Sequence, residues 1–217
     1  MPSKTWETAW REKESHELWS IPDTEVEALI ETLTREGMRR VLDLGFGIGR
    51  HVIIFARKGF ETYGIEPTRS GVSHCEKWLE AEGLHADIRM GKMTELPYEN
   101  SFFDFVLSWN VIYHGTMNQL KKALEEIHRV TRRGGMIYIT LNSTRNKHYG
   151  QGTEIELNTY LNPMKMDGDL PHHYSDEGEV TALFEEWDVM QMEEQEESLA
   201  GVTDPDSYHW MIIARKN

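Results

Sequence analysis

Cysteine is almost absent from this sequence: Cys75 is the single one among 217 residues. One thiol cannot close an intramolecular disulfide, which fits a reducing compartment and predicts a cytoplasmic protein. Long apolar runs are absent too. Nothing approaches the ~20 consecutive apolar residues that cross a bilayer, so no membrane association is expected. The opening MPSKTWETAWREKESHELW is charged and Trp-bearing, without the apolar segment and small-residue cleavage site of a secretory signal. Positive charge is scarce: 23 Lys and Arg stand against 37 Asp and Glu, for a formal net charge of -14. That balance repels a polyphosphate backbone, which is normally held by neutralising several phosphates with Lys and Arg. No nucleic-acid partner is therefore expected. The local exception, Arg129, Arg132 and Arg133, reads as the cationic end of a helix.

What is present suits one globular domain, with 39% hydrophobic, 10% aromatic and 28% charged residues and a length able to bury a sizeable core. Strands and helices alternate. Val41–Leu44 reads as a buried strand, a glycine turn follows, and Arg50–Lys58 reads as a helix. Glu61–Ile65 is a second strand with Glu66 at its end. Thr68–Ser70 opens an amphipathic helix carrying Val72, Cys75 and Leu79, which Gly83 closes. Further strands fall near Ala86–Met90, at Asp104–Trp109 and at Met136–Leu141. Leu120, Leu124, Ile127 and Val130 recur at helical spacing between the last two, with Arg133-Gly134-Gly135 as the stop. Trp187–Met192 and His209–Ala214 have no helix between them and predict an antiparallel hairpin at the sheet edge. The fold class is α/β: a doubly wound, Rossmann-like sheet of about seven strands, mostly parallel.

The stretch VLDLGFGIGRH, Val41–His51, carries the chemistry. Ligands of such sheets bind beyond the carboxyl ends of the strands, and glycines remove the Cβ atoms that would block a close approach to the backbone. The dinucleotide fingerprint G-x-G-x-x-G would need glycine where Arg50 stands. The pattern is instead D-x-G-x-G-x-G, and the Asp43 carboxylate beneath the loop suits an amine better than a pyrophosphate. Glu66, 17 residues beyond Gly49, stands close to the ~20-residue spacing at which an acid meets ribose hydroxyls. An amine-bearing tail and a free ribose diol together describe S-adenosylmethionine. An NAD-type oxidoreductase shares the Glu66 signal but not the loop.

Four stretches, VLDLGFGIGRH, TYGIEP, GKMTELPYENSFFDFVLSWNVIYHG and IHRVTRRGGMIYIT, cover residues 40 to 142 in an order that resembles the class I S-adenosylmethionine-dependent methyltransferases of the small-molecule type. WETAW before them and HHYSDEGEVTALFEEW after them add a similarity to tellurite-resistance-type methyltransferases. The resemblance implies that Asp43, Gly45, Gly47, Gly49 and Arg50 surround the methionine part, Glu66 the ribose, and Gly91, Lys92 and Met93 the adenine. Asn110 lines the reaction face, and S-adenosylhomocysteine is the product. The expected layout of the single domain is an N-terminal helical cap over 1–38, a cofactor-binding core over 39–142, a substrate-side insertion over 143–180 and C-terminal edge strands over 181–217. One position departs from the resemblance. Family members carry Asp where this chain has Lys92, and a lysine donates but cannot accept the hydrogen bond of the adenine amine. A lost neutral hydrogen bond costs roughly 0.5–1.5 kcal/mol, which packing by Met93 and Leu96 can offset. The alternative motivated by Lys92 is a non-catalytic or regulatory protein binding S-adenosylmethionine or S-adenosylhomocysteine.

Methyl transfer needs an aligned acceptor, and a general base only if the acceptor is protonated. SWNVIYHG lacks the proline pair of exocyclic-amine nucleic-acid methyltransferases, and no cysteine stands there for attack on a pyrimidine. Tyr113, His114 and His173 are the candidates for placing the acceptor or taking its proton, with His172 and Tyr174 beside them. Glu154 and Glu156 add metal-ligating chemistry, but the spacing matches no standard site and no metal is expected. LNSTRNKHYGQGTEIELNTYLNP resembles a mobile loop or lid, with an irregular insertion without function as the alternative. Trp6, Trp10, Leu18 and Trp19 predict one or two helices over the pocket, and the small-molecule substrate is expected to meet a monomer or homodimer.

Overall fold

The computed structural model describes residues 5–161, 170–199 and 202–217. Three N-terminal helices, α1 (Trp6–Ala9), α2 (Lys13–Trp19) and α3 (Thr24–Arg35), precede the first strand. The core then alternates as the sequence predicts: β1 (Arg40–Leu44), α4 (Arg50–Arg57), β2 (Glu61–Glu66), α5 (Arg69–Glu82), β3 (Asp87–Met90), β4 (Phe103–Ser108), α6 (Met117–Val130) and β5 (Thr131–Ser143). An insertion follows, with β6 (Thr153–Glu156), β7 (Thr159–Leu161) and β8 (Pro171–Ser175). The described chain closes with α7 (Glu177–Leu183), β9 (Trp187–Leu199) and β10 (Val202–Lys216).

The main sheet runs β3-β2-β1-β4-β5, with β10 beside β5 and β9 outside it. The first five strands pair in parallel, and β10 runs antiparallel to both neighbours. Side chains alternate between faces along a strand. Val41, Phe105, Leu107, Tyr138 and Met211 therefore pack on one side with α3 and α4, through Val26, Ile30, Leu33, Ile54 and Phe55. Leu42, Leu44, Val106, Ile137, Ile139 and Ile212 pack on the other with α6 and α7, through Leu120, Leu124, Ile127 and Val180. Both faces are apolar because both are covered by helices. Among the described residues no helix is long and apolar enough to cross a membrane.

Local chemistry explains the boundaries. The Thr68 hydroxyl accepts from the Gly71 amide at 3.2 Å, and Gly83, at φ 64°, ends α5. Thr116 and Gln119 close a capping box at the start of α6. The end of α6 differs from the expected stop. The helix finishes at Val130, and Arg132 to Gly135 already belong to β5, with a register shift opposite Phe103–Phe105. The Thr131 hydroxyl bonds back to the Ile127 carbonyl at 2.7 Å, and the Arg132 guanidinium pairs with Asp104 of β4. Arg129 is structural too, holding Glu126 and the carbonyls of Leu96 and Tyr98.

The stretch expected as a loop, lid or irregular insertion carries strands of its own. β6 and β7 form an antiparallel hairpin around Asn158, at φ 59°, whose amide the Glu154 carboxylate accepts at 3.1 Å. β7 pairs with β8, which then runs beside the end of β5. The last two residues of that sequence stretch, Asn162 and Pro163, lie outside the described residues. Leu96, expected against the cofactor, is buried in the core beneath α6.

Gly49 has a φ of 102°, and a Cβ there would lie 2.4 Å from the Cys75 sulfur. Gly49→Ala is expected to destabilise the protein by roughly 2 kcal/mol or more, from backbone strain plus overlap. Adding Cys75→Ala should recover only part, because the Cys75 Cβ at 2.9 Å and the φ remain. Urea unfolding of both variants measures this; a neutral single variant would show that the contact relaxes freely.

Candidate functional site

The carboxyl ends of β1, β2, β4 and β5 open into a cavity of about 1160 Å³. It exceeds the ~300–1,000 Å³ usual for a single small ligand, so it can hold two ligands side by side. One end lies under β1 and β2, the other under β5, β8 and β10.

At the first end the glycine loop follows β1. The Gly45 amide donates to the Ile65 carbonyl at 2.7 Å, which presses the loop onto β2. A Cβ at Gly45 would lie 2.4 Å from the Val111 side chain. The Glu66 carboxylate accepts from the Gly47 amide at 3.0 Å, from the Thr68 amide at 3.0 Å and from the Thr68 hydroxyl at 2.5 Å. Glu66 therefore staples the loop to the end of β2 while still lining the cavity. Burial pushes its pKa up to about 6 against those hydrogen bonds. Asp43 is 2% exposed and also lines the cavity. Burial drives its pKa up to about 7, Arg50 opposes the rise, and the nearby Glu66 adds to it. Its Oδ2 is buried without a hydrogen-bond partner among the described residues. That oxygen fits an ammonium group entering from the cavity, the donor that would satisfy it.

The N-terminal segment forms the roof of this end. Trp6 and Trp10 stack at 4.8 Å, and Trp19 meets both edge-on. A Cβ at Gly47 would lie 3.1 Å from the Trp10 ring. Ser70, at the start of α5, holds Glu7 through its amide and hydroxyl at 3.3 and 2.8 Å. Arg50 lines the cavity, and its guanidinium meets Asp23 at 2.5 Å, the Ile21 carbonyl at 3.2 Å and the Trp19 face at 5.1 Å. It thus ties the roof to α4. Burial pushes the His51 pKa down to about 4, so its Nε2 accepts from the Asp23 amide at 3.3 Å.

Beyond β4 the chain turns at Asn110, whose φ is 56°. Thr140 of β5 explains that conformation: its hydroxyl accepts the Asn110 amide at 2.7 Å and donates to Asn110 Oδ1 at 2.9 Å. The Asn110 carbonyl contacts His114 Nε2 at 3.1 Å, and His114 Nδ1 contacts His172 Nε2 at 3.0 Å. A carbonyl can only accept, so in the uncharged pair His114 donates from Nε2 and accepts at Nδ1 from His172.

Asp43, Gly45, Gly47, Arg50, Glu66, Lys92, Met93, Asn110, Tyr113 and His114 share the cavity wall. Gly49 and His173 do not. Gly49 turns its α-carbon to Cys75. His173 sits on the opposite face of β8, where its ring meets the Thr159 hydroxyl at 2.7 Å and the Glu179 carboxylate at 2.5 Å. The strand period of two sends His172 and Tyr174 into the cavity instead. Glu154 and Glu156 bond the Asn158 and Met117 amides, and among the described residues no group of three or more such side chains is placed to hold a metal. Asn142, Asn146, Ser207 and His209 line the second end without any motif to announce them. Strand pairing brings them there: Asn142 of β5 faces His209 of β10 and Tyr174 of β8.

Comparison with known proteins accords with this geometry. The methyltransferase-domain family matches residues 41–135. Over residues 41–135 the chain is thus similar to methyltransferase domains. A ubiquinone biosynthesis O-methyltransferase of Rhizobium etli is 30% identical over 110 residues, 50% of this chain and 43% of the relative. The chain thus spans less than half the length of that relative. An S-adenosylmethionine-dependent methyltransferase structure from Methanosarcina mazei superposes with a TM-score of 0.70 at 20% identity, covering 82% of this chain and 92% of its own. TehB from Haemophilus influenzae gives 0.66 at 16% identity, covering 88% and 62%. These two show the shared fold of the methyltransferase domain.

The raised carboxylates make stability depend on pH. Asp43 and Glu66 have folded pKa values of about 7 and about 6, above their ordinary 3.8 and 4.5. The stability they contribute is complete below about pH 4 and is lost as pH rises through 7. Asp43→Asn is therefore expected to match the wild type near pH 4 and to exceed it in melting temperature at pH 8. Parallel melting curves that show no such divergence would contradict a raised Asp43.

Proposed function

We propose that this protein transfers the methyl group of S-adenosylmethionine to a small-molecule acceptor, with S-adenosylhomocysteine as product. The observation that carries the reading is the buried Asp43 Oδ2, unpartnered at the cavity wall beneath a glycine loop. Asp43 would hold the amino group, and Glu66, already oriented by Thr68 and Gly47, the ribose hydroxyls. Met93 offers an apolar side to the adenine. Lys92 is exposed and bridges to Glu95 through the backbone; as a donor it cannot accept the adenine amine proton, so that contact is forgone.

When bound, the sulfonium supplies an already activated methyl group, so alignment of the acceptor is the main requirement on the chain. Trp6, Trp10 and Trp19 exclude water from the glycine-loop end. Asn110, held by Thr140, shapes the passage between the two ends, and Tyr113 and His114 stand at that passage. His173 is withdrawn from any part in the chemistry by its bonds to Thr159 and Glu179. We place the protein in the cytoplasm, as a monomer or homodimer without a nucleic-acid partner, in keeping with its single cysteine and net charge of -14.

Calorimetric titration with S-adenosylmethionine and S-adenosylhomocysteine tests the reading. Asp43→Ala is expected to weaken binding by about 10- to 100-fold, the equivalent of a charge-assisted hydrogen bond, and Lys92→Asp should bind at least as well as the wild type. A wild type that binds neither compound would sink the proposal. Tight binding without transfer of labelled methyl to any acceptor in a broad panel would favour a regulatory protein.

A further inference from the structure

The second end of the cavity has its own chemical character. Under β5, β8 and β10 the wall consists of amide, imidazole and hydroxyl groups: Asn142, Asn146, His172, Ser207 and His209, all buried. Asn146 is itself oriented, donating to the Ser207 hydroxyl at 3.2 Å and the Tyr208 carbonyl at 3.3 Å. Aromatic rings flank these groups. Tyr113 lies 5.6 Å from the His209 ring and 6.5 Å from His172, and Tyr174 follows His172 on the same face of β8.

Charge is distributed unevenly. Among the described residues, Arg50 and Lys92 are the only Lys or Arg side chains on the cavity wall. Both belong to the first end, following β1 and β3, and Arg50 is already paired with Asp23. The carboxylate at the second end, Asp204, pairs with Lys147, which does not line the cavity. An anion placed there would lose its hydration without gaining a cation, in a site that Asp43, Glu66 and Glu7 make electronegative from the other side.

We propose that the second end takes a planar acceptor that is uncharged or cationic, with hydrogen-bonding groups on its edge, and that it rejects carboxylates, sulfonates and phosphates. This rests on the methyltransferase reading above and narrows its substrate class. Aromatic faces hold the plane of the acceptor, and the ring of amides and imidazoles pairs its polar edge. Discrimination comes chiefly from the unpartnered charge of a wrong acceptor rather than from extra contacts to a right one.

Three compounds with one skeleton test it: tyrosol (neutral), tyramine (cationic) and para-hydroxyphenylacetate (anionic). Each is titrated calorimetrically into the full chain at pH 8, above the ordinary imidazole range, with and without saturating S-adenosylhomocysteine. Tyrosol and tyramine are expected to bind at least tenfold more tightly than the carboxylate. His148→Arg adds a cation at the half-buried lip of this end and should narrow that preference at least fivefold. Equal or tighter binding of the carboxylate, saturable binding by none of the three, or a preference unmoved by His148→Arg would overturn the proposal. If S-adenosylhomocysteine fails to bind while the preference for tyrosol holds, the cofactor reading falls and the charge assignment of this end stands.

Discussion

The structure turns on how closely other elements approach the glycine loop after β1. A side chain at Gly45 would overlap Val111, one at Gly47 would press on Trp10, and one at Gly49 would overlap Cys75. Three separate parts of the molecule, the turn after β4, the N-terminal roof and α5, thus close on one loop. The same bareness leaves Glu66 close enough to take the Gly47 amide. The loop is at once the packing centre of the sheet's carboxyl edge and the floor of the cavity. Substitution there disturbs fold and site together.

Electrostatics at that floor work against the empty protein. Asp43 and Glu66 are desolvated, Glu66 raises Asp43, and the Glu7 of the roof raises Glu66. A cluster of buried acids is poor for stability and good for holding a cation. Arg50 relieves Asp43 only in part, because its guanidinium also spans Asp23 and the Ile21 carbonyl. The site therefore keeps a residual demand for positive charge that the chain does not itself satisfy.

Much of this was legible in the sequence. Val41–Leu44, Glu61–Ile65 and Met136–Leu141 read as strands separated by helical periodicity, with Thr68 and Gly83 bounding the second helix, so local signals agreed with the fold. The glycine spacing with Asp43 and Glu66 pointed to the cavity floor. Legibility failed where the outcome depends on partners distant in sequence. Arg133 to Gly135 look like a helix stop, yet they belong to β5, which the pairing of Arg132 with Asp104 holds beside β4. His172 and His173 are adjacent letters, and only strand β8 decides which one faces the cavity. Asn142 and His209 carry no motif, and their meeting depends on β10 entering the sheet beside β5.

That last arrangement also bears on the order in which the molecule assembles. The units β1-α4-β2-α5 join segments close in sequence, and their contacts require only short loops to close. The pairing of Asn142 with His209 closes a loop of 209 − 142 = 67 residues, and such closures carry a larger entropic cost before any contact repays it. The floor beneath β1 and β2 can thus be shaped early, while the wall under β5, β8 and β10 exists only after the antiparallel strand has docked. The cavity is built from an early half and a late half, and their seam is Asn110.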